Sequence, residues 1–227
     1  MADAGRDAVT AAFDARALKL LGRSVGLAAA VTATAVALSL PLAWLTQRTD
    51  LPGRRAWTVL TMLPLVIPSY IGAYLLVSAL GPVGLLRDAL GVDRLPSIYG
   101  FAGAWLSLTL FTYPLVLLTV RSAMRRLDPQ LEEAARGMGR SAWRTYFGVV
   151  LPQLRPAIGA GGLLVALYVL SDFGAVSIMR FDSLTRAIYT AYRASFDRTQ
   201  AASLACLLIA VTLVVIWLEA RARARAS

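Results

Sequence analysis

The chain has 227 residues, 58% of them hydrophobic and 16% charged, with a mean hydropathy of +0.63 and a formal net charge of +10. A soluble domain carries about 25% charged and about 45–50% apolar residues, so this balance predicts a membrane protein. No histidine and one cysteine, Cys206, exclude a His/Cys metal centre, an internal disulfide and a Cys–His catalytic pair.

Residues 1–23 mix Asp3, Asp7 and Asp14 with Arg6, Arg16, Lys19 and Arg23. That mixture is unlike a signal-peptide n-region, and the apolar run after it exceeds the about 7–15 residues of an h-region. The segment reads as a tail without a cleaved signal, in which residues from Asp14 to Leu21 form a short interfacial helix.

Five apolar stretches follow: Ser24–Thr46, Trp57–Leu80, Phe101–Val120, Pro156–Met179 and Ala201–Leu218. They hold 109 residues, and Asp172 is the one charged side chain among them. Each matches the ~20 residues a helix needs to cross the hydrocarbon layer. None alternates as a barrel strand would. The fold class is therefore all-α, a polytopic membrane bundle of about five spans over residues 24–218, followed by a basic tail, 219–227. Pro41, Pro64, Pro68 and Pro114 fall inside spans. Such breaks are tolerated where neighbours satisfy the freed carbonyls. The Pro64–Tyr70 run is the most broken of them.

Alternation of spans sorts the polar segments into two faces. The 47–56 loop, residues 121–155 and the tail hold 13 Arg and sum to +8. The N-terminal tail, the 81–100 loop and residues 180–200 hold 10 Lys/Arg and sum to +3. The positive-inside rule puts the first set in the cytoplasm, with the N-terminus outside. The basic charge is thus a topology signal, and without aromatic platforms on a soluble face it excludes nucleic acid as a partner.

The segment Asp128–Pro152 reads DPQLEEAARGMGRSAWRTYFGVVLP. Asp128 can cap a helix that starts at Pro129, with Glu132 and Glu133 in its first turn. Gly137 and Gly139 interrupt it. Ser141 then caps a second helix, which Pro152 and Pro156 end before the next span. The first helix presents Ala134, Ala135 and Met138, small enough to dock into a partner's groove.

This segment resembles the signature loop of permease subunits of binding-protein-dependent ABC importers. The family pattern is E-A-A, three residues, G, nine residues, I-x-L-P. Here it is Glu133-Ala134-Ala135, Gly139, then Val149-Val150-Leu151-Pro152, with Val149 in place of Ile. The resemblance implies a MetI-like permease core. It also implies that loop 121–155 is the coupling element, through which Glu133, Ala134, Ala135, Gly139, Leu151 and Pro152 engage an ABC ATPase. Pro41–Arg54, Leu63–Ala73, Ser171–Val176 and Arg180–Tyr189 are similar to the ferric-iron permeases. Those are usually about twice as long, so the chain looks like one half, standing alone or part of a longer protein.

What the resemblance implies is a multi-pass subunit of a bacterial-type inner membrane, without enzymatic activity of its own. Its partners would be an ATPase dimer that binds the ATP, a second permease half, an external substrate-binding protein and the lipid bilayer. The binding protein would dock on residues 81–100 and 180–200. The residues themselves agree that energy comes from elsewhere: the lone lysine, Lys19, follows Leu18 and cannot complete a P-loop. The chain needs no cofactor or resident metal. Ferric iron is the first cargo reading, with thiamine, sulfate, phosphonate or polyamine as alternatives. An ion-coupled secondary transporter is a further class, but the chain shows neither an internal repeat nor clustered intramembrane acids. Asp172, with Ser69 and Tyr70, is a candidate for the translocation path. Asp172 can equally pair with a neighbouring helix or cap a break before Gly174. Gly159, Gly161 and Gly162 would let two helices approach closely.

Overall fold

The computed structural model describes residues 15–81 and 97–224. Asp14 and most of the 81–100 docking segment lie outside the described residues. The described residues form α1 (Ala15–Arg48), α2 (Arg54–Leu60), a 3₁₀ turn (Leu63–Val66), α3 (Ser69–Leu80) and α4 (Phe101–Arg126). They continue as α5 (Pro129–Gly137), α6 (Ala142–Thr145), a π turn (Tyr146–Val150) and α7 (Leu151–Ser171). The last elements are α8 (Gly174–Ile178), α9 (Leu184–Arg193) and α10 (Arg198–Ala224).

Four helical runs are long and apolar enough to cross a membrane: α1, α4, the run from Ala142 to Ser171, and α10. The segments Arg54–Val66 and Ser69–Leu80 are together apolar enough for a fifth crossing, and they bend by 99° at the break between them. Helix α4 sits at the centre, packed against α1 and α7, while α3 and α10 lie further out. The core between these helices is built from Leu27, Val31, Leu108, Leu117, Val120 and Leu154.

The structure moves several expected boundaries. Residues 15–23, expected to form part of a separate tail, continue without interruption into the first span as α1. The buried residues Ala17, Leu20 and Ser24 recur every three or four positions, so one helical face carries on into the span. The loop expected over 121–155 shrinks, because α4 extends to Arg126 and the next long run begins at Ala142. Pro152 and Pro156 do not end a helix there. Pro152 lies at the start of α7, and Pro156 lies inside it. A proline ring clashes with the carbonyl four residues earlier. For Pro152 that carbonyl belongs to Gly148, which sits in the wider π turn.

The breaks at Pro64 and Pro68 are real, and a neighbour satisfies the freed backbone. The Tyr113 hydroxyl donates to the Thr61 carbonyl at 2.9 Å. A second break, which the apolar pattern does not reveal, divides the expected Pro156–Met179 span. Helix α7 stops at Ser171, Asp172 is extended, and α8 follows. The Thr185 hydroxyl takes up the Asp172 carbonyl at 2.7 Å, and the Gly100 amide takes up that of Met179 at 2.6 Å. Close packing at Gly161 holds α7 against α4: a Cβ there would lie 2.4 Å from Thr119 Oγ1 and 2.8 Å from Val116 Cα.

Candidate functional site

Helix α5 begins as its sequence dictates. Asp128 Oδ1 accepts the Gln130 amide at 2.9 Å, and Pro129 takes the first helical position. Its end is a Schellman motif. The Gly139 amide donates to the Arg136 carbonyl at 2.9 Å and the Arg140 amide to the Ala135 carbonyl at 3.2 Å. Gly139 holds φ +81° with open space around a would-be Cβ, so it is the backbone conformation that requires glycine. Ser141 then caps α6 by accepting the Arg144 amide at 3.4 Å.

Within α5, Ala135 is buried, whereas Glu133 and Ala134 face outward. Leu131 and Met138 are also exposed, Met138 by 75%. Leu151 and Pro152 are half-buried at the start of α7. The side chain that ties α5 to the body is Glu132. It forms an ion pair with Arg48, the last residue of α1, at 2.9 Å. Arg48 also donates to the Met124 carbonyl near the end of α4, at 3.2 Å. Sequence reading missed both Arg48 and this use of Glu132, since no local pattern links them. Trp44 of α1 stacks on Trp143 at 6.0 Å and meets Tyr146 edge-on at 6.1 Å. These rings and Leu151 line an apolar cavity of about 260 Å³ between α1 and the run from Trp143 to Leu151.

The three path candidates come together where the two breaks meet. Ser69, the first residue of α3, donates its hydroxyl to Asp172 Oδ2. Asp172 Oδ1 accepts the amides of Ala175 at 2.9 Å and Val176 at 3.3 Å, capping α8. Both side chains are buried, at 7% and 8% exposure, while Tyr70 is half exposed. Gly174 makes room for this contact, because a Cβ there would lie 2.7 Å from the Tyr70 Cβ. Both carboxylate oxygens are therefore engaged within the protein, and Asp172 joins two broken spans.

The grouping of polar segments into two faces has structural counterparts. The Arg48–Glu132 pair joins the end of α1 to α5. At the opposite end of α1, Arg23 pairs with Asp182 at 3.2 Å, joining the expected tail to the segment before α9.

Residues 35–226 match the family described as binding-protein-dependent transport system inner membrane component. The Fe(3+)-transport system permease protein FbpB 2 of Haemophilus influenzae is 32% identical over 207 residues, which are 91% of this chain. The chain spans only 38% of that protein's length. The molybdenum transport system permease protein ModB of Escherichia coli K12 is 31% identical over 220 residues, covering 90% of this chain and 96% of ModB. Molybdenum was not among the cargo alternatives read from the sequence. Among solved structures, the inward-facing MetNI methionine ABC transporter aligns with a TM-score of 0.73 and 17% identity over 92% of this chain and 95% of that chain, a likeness of fold.

Proposed function

This chain belongs to the family of binding-protein-dependent transport system inner membrane components, and from that premise we propose that it is the permease subunit of an ATP-driven importer. The observation that carries the reading is α5. It is capped at both ends, tied to α1 and α4 through Arg48, and exposes Glu133, Ala134 and Met138 outward. A short rigid helix that is half-detached and presents small side chains is suited to a partner's groove. Its occupant would be an ABC ATPase that binds the ATP. A second permease half and an external binding protein complete the assembly in a multi-pass inner-membrane setting. The N-terminus faces outward and α5 inward.

Ferric iron is the proposed cargo, on the similarity to the iron permease. Molybdenum is the second reading, favoured by similarity along nearly the whole of ModB. The Asp172–Ser69 contact holds the two broken spans together beside the path, with Tyr70 on its open side. Reconstitution with the ATPase and binding protein tests the proposal. ATP-dependent accumulation of ferric iron is expected. Accumulation of molybdate alone overturns the iron reading, and ATPase that never associates with the chain overturns the importer reading.

A further inference from the structure

At the end of α1 remote from α5, a cavity of about 340 Å³ lies between α1 and α9. Arg16, Lys19 and Arg23 line it from α1 and Arg186 from α9, and Asp182 is its one carboxylate. Asp182 is already shared: Oδ2 pairs with Arg23 at 3.2 Å and Oδ1 with Arg186 at 2.8 Å. Arg16 and Lys19 are exposed and have no anionic partner among the described residues. Among the described residues four cations thus face one occupied acid, which gives the cavity the electrostatics of an anion site.

A second cavity shares Lys19, Arg23 and Asp182 with the first and runs from them along α1. It has a volume of about 680 Å³. Its floor is Gly22 and Gly26, one turn apart, exposed, with open space where each Cβ would stand. Phe101 and Arg180 form its far wall. The groove leads from the cations into the uncharged stretch that begins at Ser24.

Position along the bilayer fixes the kind of anion. Arg48 reaches α5 at one end of α1, and Lys19 lies 29 residues before it. At 1.5 Å per residue that is about 43 Å, close to the about 40–45 Å of a bilayer with its headgroups. The cations therefore stand in the headgroup layer of the face opposite α5, at the depth of the lipid phosphates.

We propose that the cavity and groove form one binding site for an anionic phospholipid, with its phosphate on Arg16 and Lys19 and an acyl chain along Gly22 and Gly26. A soluble oxyanion would use the cavity without the groove, which separates the two sources.

The test is native mass spectrometry of the delipidated chain in detergent, titrated with phosphatidylglycerol or phosphatidylcholine, with inorganic phosphate as competitor. Phosphatidylglycerol should bind about tenfold or more tightly than phosphatidylcholine, and R16Q/K19Q should erase that difference. G22L/G26L should weaken phosphatidylglycerol while leaving inorganic phosphate binding unchanged. All four positions are exposed, so the fold tolerates these changes. Equal binding of the two lipids, or full retention of phosphatidylglycerol by R16Q/K19Q, overturns the proposal. Lipid binding unaffected by G22L/G26L, with complete displacement by inorganic phosphate, assigns the cavity to a soluble anion only. Docking of an acidic protein that depends on Arg16 and Lys19, without preference for anionic lipid, likewise overturns it.

Discussion

Arg48, the last residue of α1, holds Glu132 of α5 in an ion pair at 2.9 Å, with side-chain exposures of 20% and 14%. Arg48 also bonds the Met124 carbonyl, so one guanidinium joins two long helices to the proposed docking element. Half-buried, the pair lies between an exposed ion pair, worth about 0–1 kcal/mol, and a buried one, whose breaking costs about 3–5 kcal/mol. E132Q and R48Q should therefore loosen α5 and lower ATPase stimulation and uptake by severalfold, with insertion into the membrane unchanged. The exposed E133Q should leave the resting position of α5 intact and affect only ATPase binding. Spin-label distances from α5 to α1, read beside ATPase affinity, separate the two effects. Equal distance changes in E132Q and E133Q would contradict this division.

Gly139 and Gly137 lie two residues apart and should respond in opposite directions. Gly139 sits at φ +81° in the Schellman motif, where an L-residue costs about 1–2 kcal/mol. Gly137 is helical, and a Cβ there meets open space. G139A should fray the end of α5 and weaken co-purification of the ATPase, and G139W more so. G137A should preserve it or stabilise the helix by up to about 1 kcal/mol. Normal yield of the ATPase with G139W would count against a docking role for this turn.

The residues that were legible in the sequence are those whose chemistry is local. Asp128-Pro129 and Ser141 are caps whatever surrounds them, and both cap helices here. Pro64 and Pro68 break a span because proline lacks a donor, and the chain does bend between α2 and α3. The break at Asp172 carries no proline; of the two roles read for this residue, cap before Gly174 and partner of a neighbouring helix, it fills both, with Oδ1 on the Ala175 and Val176 amides and Oδ2 on Ser69 of α3. The persistence of helix through Pro152 depends on the π turn before it, which no periodicity announces. Glu133 stood out through its motif, yet the tether is its neighbour Glu132, chosen by an arginine distant in sequence and adjacent in space.

Asp172 offers a graded test of the junction between the broken spans. Its two oxygens serve different partners, Oδ1 the amides of Ala175 and Val176 and Oδ2 the Ser69 hydroxyl. Asparagine keeps one carbonyl oxygen for the α8 amides and meets Ser69 only through its NH2, with the hydroxyl now accepting and the charge lost, whereas alanine leaves both α8 amides unsatisfied. Each lost bond to the charged group costs about 1.5–3 kcal/mol. Thermal stability in detergent should fall in the order D172A, D172N, S69A, the last being mildest. D172N should cut uptake severalfold at normal membrane level. Unchanged uptake and unchanged unfolding temperature in D172N would remove Asp172 from the working parts of the protein.

Two glycines of α7 distinguish close packing from a merely small residue. At Gly161 a Cβ would lie 2.8 Å from the Val116 Cα, and backbone cannot move aside as a side chain can. At Gly159 the nearest atom is Glu219 Oε1 at 3.1 Å, the far end of a flexible side chain. G161A should therefore push α7 away from α4 and destabilise the bundle by about 1–3 kcal/mol. G159A should be tolerated or slightly stabilising, as alanine is the better helix former. The consequence extends beyond stability, because α4 ends at Arg126, three residues before α5 begins. A displaced α4 carries the Met124 carbonyl away from Arg48 and so disturbs the tether to Glu132. G161A should thus lower ATPase stimulation along with the unfolding temperature, while G159A changes neither. A loss of stability in G161A with fully retained stimulation would show that α4 does not transmit its position to α5.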